Sequence, residues 1–393
     1  MTLSRHLPVL ALALAGLLPT SPVQAAACGG ALSDFLADMT AEAVAAGLPE
    51  QAAKSYLKGA RIDEKVLARD RSQGVFRMEF IEFSRRLISQ NRIDNGRALA
   101  KKHAQTFDRA AQEFGVPKGI LLAFWAFETD YGQVQGDFNT RNALVTLGHD
   151  CRRPDLFQPQ ILAAIALHAK GDLPTDTVGA WAGEIGMVQM LPADILERGV
   201  DGDGDGHVTL KTSVADALLS GARLLQHHGW LPGAPWLAEV KVPTEIDWAL
   251  SGLDTELSVA DWAALGVRGR NGDLPSGTAS LLLPQGRKGP AFLAYPNFRT
   301  LFDWNQSFTY VLTGAYFATR LEGAPPYDAG NPEPGLDGDQ MKRLQEKLAA
   351  RGHDVGKIDG ILGAGTRAAV QKEQKRLGLP ADAWPTMTLL NAL

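Results

Sequence analysis

The run Ile120 to Phe127 is apolar at every position, and Glu128 follows it directly in Phe127-Glu128-Thr129-Asp130-Tyr131-Gly132. Pro117 suits the first turn of a helix over this run, and Gly132 suits its end. A helix that is hydrophobic all round must be enclosed on nearly every side. The chain must therefore build a body large enough to surround it. Glu128 is the only ionisable group in the last turns of that helix, and Leu121, Phe124 and Trp125 share its face. A carboxyl among such neighbours is desolvated, which disfavours its charge and raises its pKa. That is the state a general acid needs near neutral pH. The alternative is a solvated glutamate at a helix end, where its charge opposes the terminal carbonyls.

At 393 residues the chain is long enough for that body and a further domain. Its 45% hydrophobic and 21% charged residues are those of an ordinary globular protein. A net charge of -5 leaves no basic footprint, which argues against a nucleic-acid partner and against electrostatic docking to an anionic membrane.

The first 25 residues read as a secretory signal peptide. Arg5 and His6 precede an apolar run from Leu7 to Leu18, which is short for a bilayer span, and Val23-Gln24-Ala25 offers a cleavage site. Export to the periplasm follows, with no stable membrane insertion. The only two cysteines, Cys28 and Cys151, both lie beyond that site. In an oxidising compartment a disulfide is the expected state. A lipid on Cys28 is the alternative, but Ala25 stands where a lipoprotein cleavage site has a branched aliphatic residue.

Apolar residues at helical spacing predict helices over 31–47, 95–114 and 155–170, and again over 306–321. Between 231 and 290 Pro and Gly become frequent, and Leu237 to Val242 and Ser280 to Pro284 read as strands. The Pro- and Gly-rich stretch 323–338 reads as a linker to a separate unit over 339–393. That unit opens on an amphipathic helix, Gln340 to Arg351, and has a second from about Thr366 to Leu377.

The run Phe127 to Gly132 resembles the catalytic signature of the lytic murein transglycosylase B family. Trp181-Ala-Gly-Glu-Ile-Gly-Met-Val-Gln-Met-Leu-Pro192, Asp201-Gly-Asp-Gly-Asp-Gly-His207, His228-Gly-Trp230, Gly289 to Phe298 and Trp304-Asn-Gln-Ser307 follow in the family's order. The resemblance spans residues 30 to 322. It implies a mainly α (α+β) chain with a lysozyme-like catalytic domain over 26–322. It also implies cleavage of the β-1,4 bond between N-acetylmuramic acid and N-acetylglucosamine in peptidoglycan, without water. Glu128 would be the acid and then the base, closing a 1,6-anhydro ring. The implied partner is the glycan strand, no cofactor is required, and a monomer is expected.

Gln189 matches the motif glutamine and is the best candidate for a substrate amide contact. Tyr295, Asn297 and Asn305 come from the late motifs and either line the cleft or serve the structure. Ala180 stands where many relatives have a substrate-contacting serine. Glu184 replaces a small residue of the motif. It is either a salt-bridged loop residue or a second carboxylate that orients water, in which case the enzyme is a hydrolytic muramidase. A non-catalytic wall-binding protein is the remaining alternative.

Asp201, Asp203 and Asp205 alternate with glycines ahead of His207, as oxygens do in a calcium-binding loop. The twelfth position, which should give a bidentate carboxylate, is Thr212. Any Ca2+ here would be structural. The last 55 residues resemble a three-helix peptidoglycan-binding module. Glu373 stands where that module has Phe, and Asp382-Ala-Trp-Pro385 replaces its final Asp-Gly turn. Such a module would tether the enzyme to the wall.

Overall fold

The computed structural model describes residues 26–71 and 78–393; the expected signal peptide lies outside the described residues. The apolar run forms the helix Lys118–Thr129, in which every residue from Gly119 to Ala126 is buried. Each large side chain so removed from water contributes about 2 kcal/mol. Helices surround it as the pattern requires. On one side lies Phe308–Leu321, whose Phe317 ring stacks on Phe127 at 5.3 Å. Pro117 precedes the helix as its N-cap.

The helix ends in a way glycine alone does not explain. Asp130 and Tyr131 both have left-handed backbones, at φ 50° and 61°, before Gly132 at 86°. Such conformations are sparsely populated by non-glycine residues and persist where the surroundings hold them. Arg92 holds both here. Its Nε donates to Asp130 Oδ1 at 2.9 Å, and its carbonyl accepts from the Tyr131 hydroxyl at 2.8 Å.

The helix expected over 95–114 is two helices, Gln90–Lys102 and Ala104–Phe114, which meet at His103. Leu32–Ala45, Pro154–Lys170 and Phe308–Leu321 fall where periodicity predicts them. The strands Leu237–Lys241 and Thr278–Leu282 do as well. They belong to a five-stranded antiparallel sheet that also includes Phe292–Ala294 at its centre and the two-residue edges Leu257–Ser258 and Arg268–Gly269. The edge strands are too short to carry an alternating pattern. The sheet closes over its own small core around Trp262 and Tyr295.

The disulfide is present. Cys28 and Cys151 are joined with Cα atoms 5.2 Å apart, so Cys28 offers no thiol to a lipid. No helix among the described residues is long and apolar enough to cross a membrane.

The C-terminal unit has three helices, Gly338–Ala349, Ala364–Arg376 and Met387–Ala392, around a core of Met341, Leu344, Leu348 and Val370. Asp337 and Gln340 form a capping box at its start. Glu373 is accommodated by polar partners, since the Arg376 and Arg351 guanidiniums and a His353 ring nitrogen all approach its carboxylate. The stretch before this unit, expected as a linker, is anchored to its surroundings. Tyr327 packs against Phe80, Phe292 and Tyr316 and bonds to Ser84 at 2.8 Å. Glu333 pairs with Lys288, and its carbonyl accepts from Trp384 Nε1 at 2.9 Å. Aromatic packing turns a proline-rich segment into a strap along the larger body.

Candidate active site

Glu128 sits in the last turn of the enclosed helix and is half-buried. Its Oε1 accepts two hydrogen bonds, from the Tyr310 hydroxyl at 2.5 Å and from Trp304 Nε1 at 3.0 Å. Oε2 carries no hydrogen bond from the described residues. The Trp304 ring stacks on Phe124 at 4.6 Å, so one aromatic layer both packs against the helix and orients the carboxyl.

Burial is the largest influence on this carboxyl and pushes its pKa up to about 7. The hydrogen bonds from Tyr310 and Trp304 pull the other way, and the charge of Glu184 adds to the rise. The Tyr310 hydroxyl is itself pushed well above its ordinary value, by burial first and by Glu128 second. It therefore remains a donor. A half-buried carboxyl that titrates near neutrality, with one oxygen held and the other free, is suited to giving and taking one proton.

The loop from Trp181 to Pro192 is tied to this helix by Thr129. Its hydroxyl donates to the Met187 carbonyl at 2.7 Å and accepts from Gly132 N at 2.9 Å. Gly183 and Gly186 have left-handed backbones, and a Cβ on Gly183 would meet Leu144 at 2.3 Å, so the loop can pass only as glycine there. Glu184 lies in this turn, half-buried. Its pKa is raised by burial and opposed by nearby backbone N–H groups and the Arg153 charge. The two carboxylates are thus electrostatically coupled, yet Glu184 makes no salt bridge within 4.0 Å among the described residues. Ala180 lies beside it, with its N–H donating to the Glu184 carbonyl at 2.9 Å.

Gln189 has a left-handed backbone at φ 51°, and its amide nitrogen donates to Gly186 O at 2.7 Å and Gln135 O at 3.4 Å. Asn305 follows Trp304, is half-buried, and accepts from Ser307 N at 2.9 Å through Oδ1. For Asn297 and Tyr295, which either line the cleft or serve the structure, the contacts favour the second. Asn297 is fully buried, and its amide bonds only to backbone groups of Leu231 and Ala234. Tyr295 is buried in the core under the sheet, with its hydroxyl on Pro275 O at 3.0 Å. Both serve the structure. Buried amides and hydroxyls need internal partners, and a motif match does not distinguish that need from substrate contact.

Tyr310 was missed as a site residue. The signal for it is a tyrosine among the largely apolar residues Phe308 to Leu312, whose buried hydroxyl requires an acceptor.

The acidic loop lies apart from this site. Carboxylate oxygens of Asp201, Asp203 and Asp205 lie within 4.8 Å of one another. The His207 imidazole turns away to Asp172 at 2.8 Å, so His207 can offer the cluster only its carbonyl. Thr212 bonds to Thr209, and the nearby buried Asp216 is used up on the N–H groups of Gly202 and Thr209 and on Ser213. Three hard oxygens suit a divalent cation, but the bidentate carboxylate is missing.

Comparison with known proteins matches residues 31–319 to the family described as "Transglycosylase SLT domain". Residues 337–393 match one described as "Putative peptidoglycan binding domain". Membrane-bound lytic murein transglycosylase B of Escherichia coli (strain K12) is 28% identical over 239 residues, which are 59% of this chain and 64% of that relative. The chain thus aligns with somewhat less than two thirds of that relative's length. SltB3 from Pseudomonas aeruginosa, solved in complex with NAG-anhNAM-pentapeptide, superposes with a TM-score of 0.84 at 35% identity, covering 93% of this chain and 99% of that one. Escherichia coli Slt35 in complex with calcium superposes with a TM-score of 0.62 at 25% identity, covering 78% and 98%. A family match over most of the chain and a relative alike over nearly its full length place this protein in the transglycosylase SLT domain family.

Proposed function

We propose that the protein is a lytic transglycosylase that cleaves the β-1,4 bond between N-acetylmuramic acid and N-acetylglucosamine in peptidoglycan. The observation that carries this reading is the Glu128 carboxyl, buried enough to titrate near 7 and held by Tyr310 and Trp304 through one oxygen. Oε2 gives its proton to the glycosidic oxygen, and the bond from that oxygen to the muramic C1 breaks. N-acetylglucosamine leaves with a free 4-hydroxyl. The carboxylate then takes the proton of the muramic 6-hydroxyl, whose oxygen bonds to C1 and closes the 1,6-anhydro ring. No water is consumed, and Glu128 ends protonated. A pair of carboxylates, as ordinary glycosidases use, is not needed, because the substrate supplies its own nucleophile.

The relative solved with NAG-anhNAM-pentapeptide supports a product of this kind. Gln189 and the Asn305 amide nitrogen are proposed as substrate contacts. The C-terminal module supports wall binding, and peptidoglycan as substrate supports action in the periplasm. Asp201, Asp203 and Asp205, with the His207 carbonyl, would hold a structural divalent cation such as Ca2+, away from the chemistry.

Mass spectrometry of muropeptides released from sacculi tests the reading. Anhydro-muramic ends are expected, and reducing muramic ends would overturn it in favour of hydrolysis. Glu128→Gln should abolish release while leaving wall binding intact.

A further inference from the structure

The C-terminal module does more than touch the catalytic body. The Arg367 guanidinium lies over the Phe308 ring, 4.9 Å from its centroid, and 6.0 Å from the ring of Trp384 in its own module. One of its nitrogens donates to Pro284 O at 2.8 Å, and its Nε is buried with no hydrogen-bond partner. Asp382 and Glu79 are the charges that face it. A guanidinium left partly unsatisfied yet stacked on an aromatic face is held there by cation–π attraction and packing. Around it the docking is specific. Gln371 Nε2 donates to Ser251 O at 2.8 Å, Arg287 N donates to Asp382 at 3.1 Å, and Gly286 leaves room for Trp384 where a Cβ would approach it to 2.8 Å.

Phe308 is the first residue of the helix Phe308–Leu321. Ser307 caps that helix through Tyr310 N at 3.4 Å and is itself held by Asn305 at 2.9 Å. Tyr310, two residues on, donates to Glu128. Trp304, four residues before, is the other donor. Both donors to the acid therefore flank the ring on which Arg367 rests.

We infer that Arg367 is a positioning residue: by stacking on Phe308, the module holds the helix start that presents Tyr310 to Glu128. This rests on Glu128 being the catalytic acid. Without Arg367 the first helical turn loosens and the Tyr310 hydrogen bond lengthens. Glu128 and the coupled Glu184 stay in place. The Tyr310 bond favours the carboxylate, so weakening it raises the Glu128 pKa.

The test uses the full chain and a soluble muroglycan fragment, so that anchoring on insoluble wall does not enter. Arg367→Ala should lower kcat roughly tenfold, as small misplacements of a reacting group do, with KM little changed. The alkaline limb of its pH–rate profile should move to higher pH. Arg367→Lys, which keeps a cation over the ring, should recover most of the loss. Phe308→Leu should reproduce the defect, and the double variant should be no worse than either single one. Hydrogen exchange gives a readout independent of turnover: amides of 308–314 should exchange faster in Arg367→Ala, while the helix Lys118–Thr129 stays protected. If wild-type enzyme is active and Arg367→Ala keeps its kcat, pH profile and exchange, the module is a tether only and the inference fails. If Glu128→Gln retains activity, the reading of the acid fails instead, and the exchange result alone decides whether Arg367 orders the helix start.

Discussion

Tyr310 and Glu128, 182 residues apart in the chain, meet through a 2.5 Å hydrogen bond from the phenol to Oε1. The bond crosses between two helices packed against each other, and in the proposed reaction it leaves Oε2 to carry the transferable proton. Tyr310→Phe removes the donor while keeping the ring packing. Its kcat should fall by roughly tenfold to a hundredfold, in the range of one lost electrostatic contact at a reacting group. The Glu128 pKa should rise, since that bond favours the charged form. The check is a pH–rate profile: its alkaline limb should lie above that of wild type, and an unmoved limb would contradict the orienting role.

Activity should be greatest where Glu128 is protonated and fall as pH passes about 7. The same shift is a stability statement. The folded-state pKa lies above the ordinary value of 4.5, so the stabilisation is fully present below 4.5 and is lost as pH rises through about 7. Glu128→Gln, which cannot ionise, should therefore be more stable than wild type at pH 8 by up to about 3 kcal/mol. The advantage should vanish near pH 4. Urea unfolding of both proteins at the two pH values measures it, and equal stability at pH 8 would argue against a desolvated carboxyl.

The Cys28–Cys151 bond closes a loop of 123 residues and fastens the chain before the first helix to the loop ahead of Pro154. A loop of that length restricts the unfolded chain by about 5 kcal/mol in the loop-entropy view. Reduction, or Cys28→Ser with Cys151→Ser, should lower unfolding free energy by about that amount, with little loss of kcat, because the bridge does not touch Glu128. Denaturation with and without reductant gives the number. A large fall in kcat in the folded, reduced protein would mean that the bridge shapes the cleft.

Much of this was legible in the sequence because burial leaves a pattern. An apolar run ending in a lone glutamate announces both an enclosed helix and a perturbed acid. What was not legible has a common cause. Asn297 and Tyr295 lie in motifs, but whether a polar side chain faces substrate or backbone depends on which groups its neighbours leave unsatisfied, and that is decided in three dimensions. Tyr310 was hidden for the converse reason, since a tyrosine in an apolar helix reads as packing until its acceptor is known. The strap over 323–338 was hidden because Pro and Gly mark the absence of helix and strand, and its contacts come from scattered residues such as Tyr327, Glu333 and Leu336 that follow no period.

Glu184 bears on whether the proposed reaction ends in cyclisation alone. It makes no salt bridge among the described residues, its pKa is raised by burial, and its charge raises that of Glu128 further. One role keeps the acid protonated; another orients a water against C1. The two roles predict different products. If Glu184 acts only through its charge, Glu184→Ala should shift the alkaline limb of the pH–rate profile to lower pH, because one influence raising the Glu128 pKa is gone. The rate at acid pH and the anhydro ends should be unchanged. If Glu184 activates water, wild type should release some reducing muramic ends, and the variant should lose them while keeping the anhydro product. The nearby backbone N–H groups and the Arg153 charge oppose the rise in the Glu184 pKa and favour its charged form, the form in which it acts on Glu128 through charge. Muropeptide mass spectra of the two proteins, read together with their pH profiles, separate these roles.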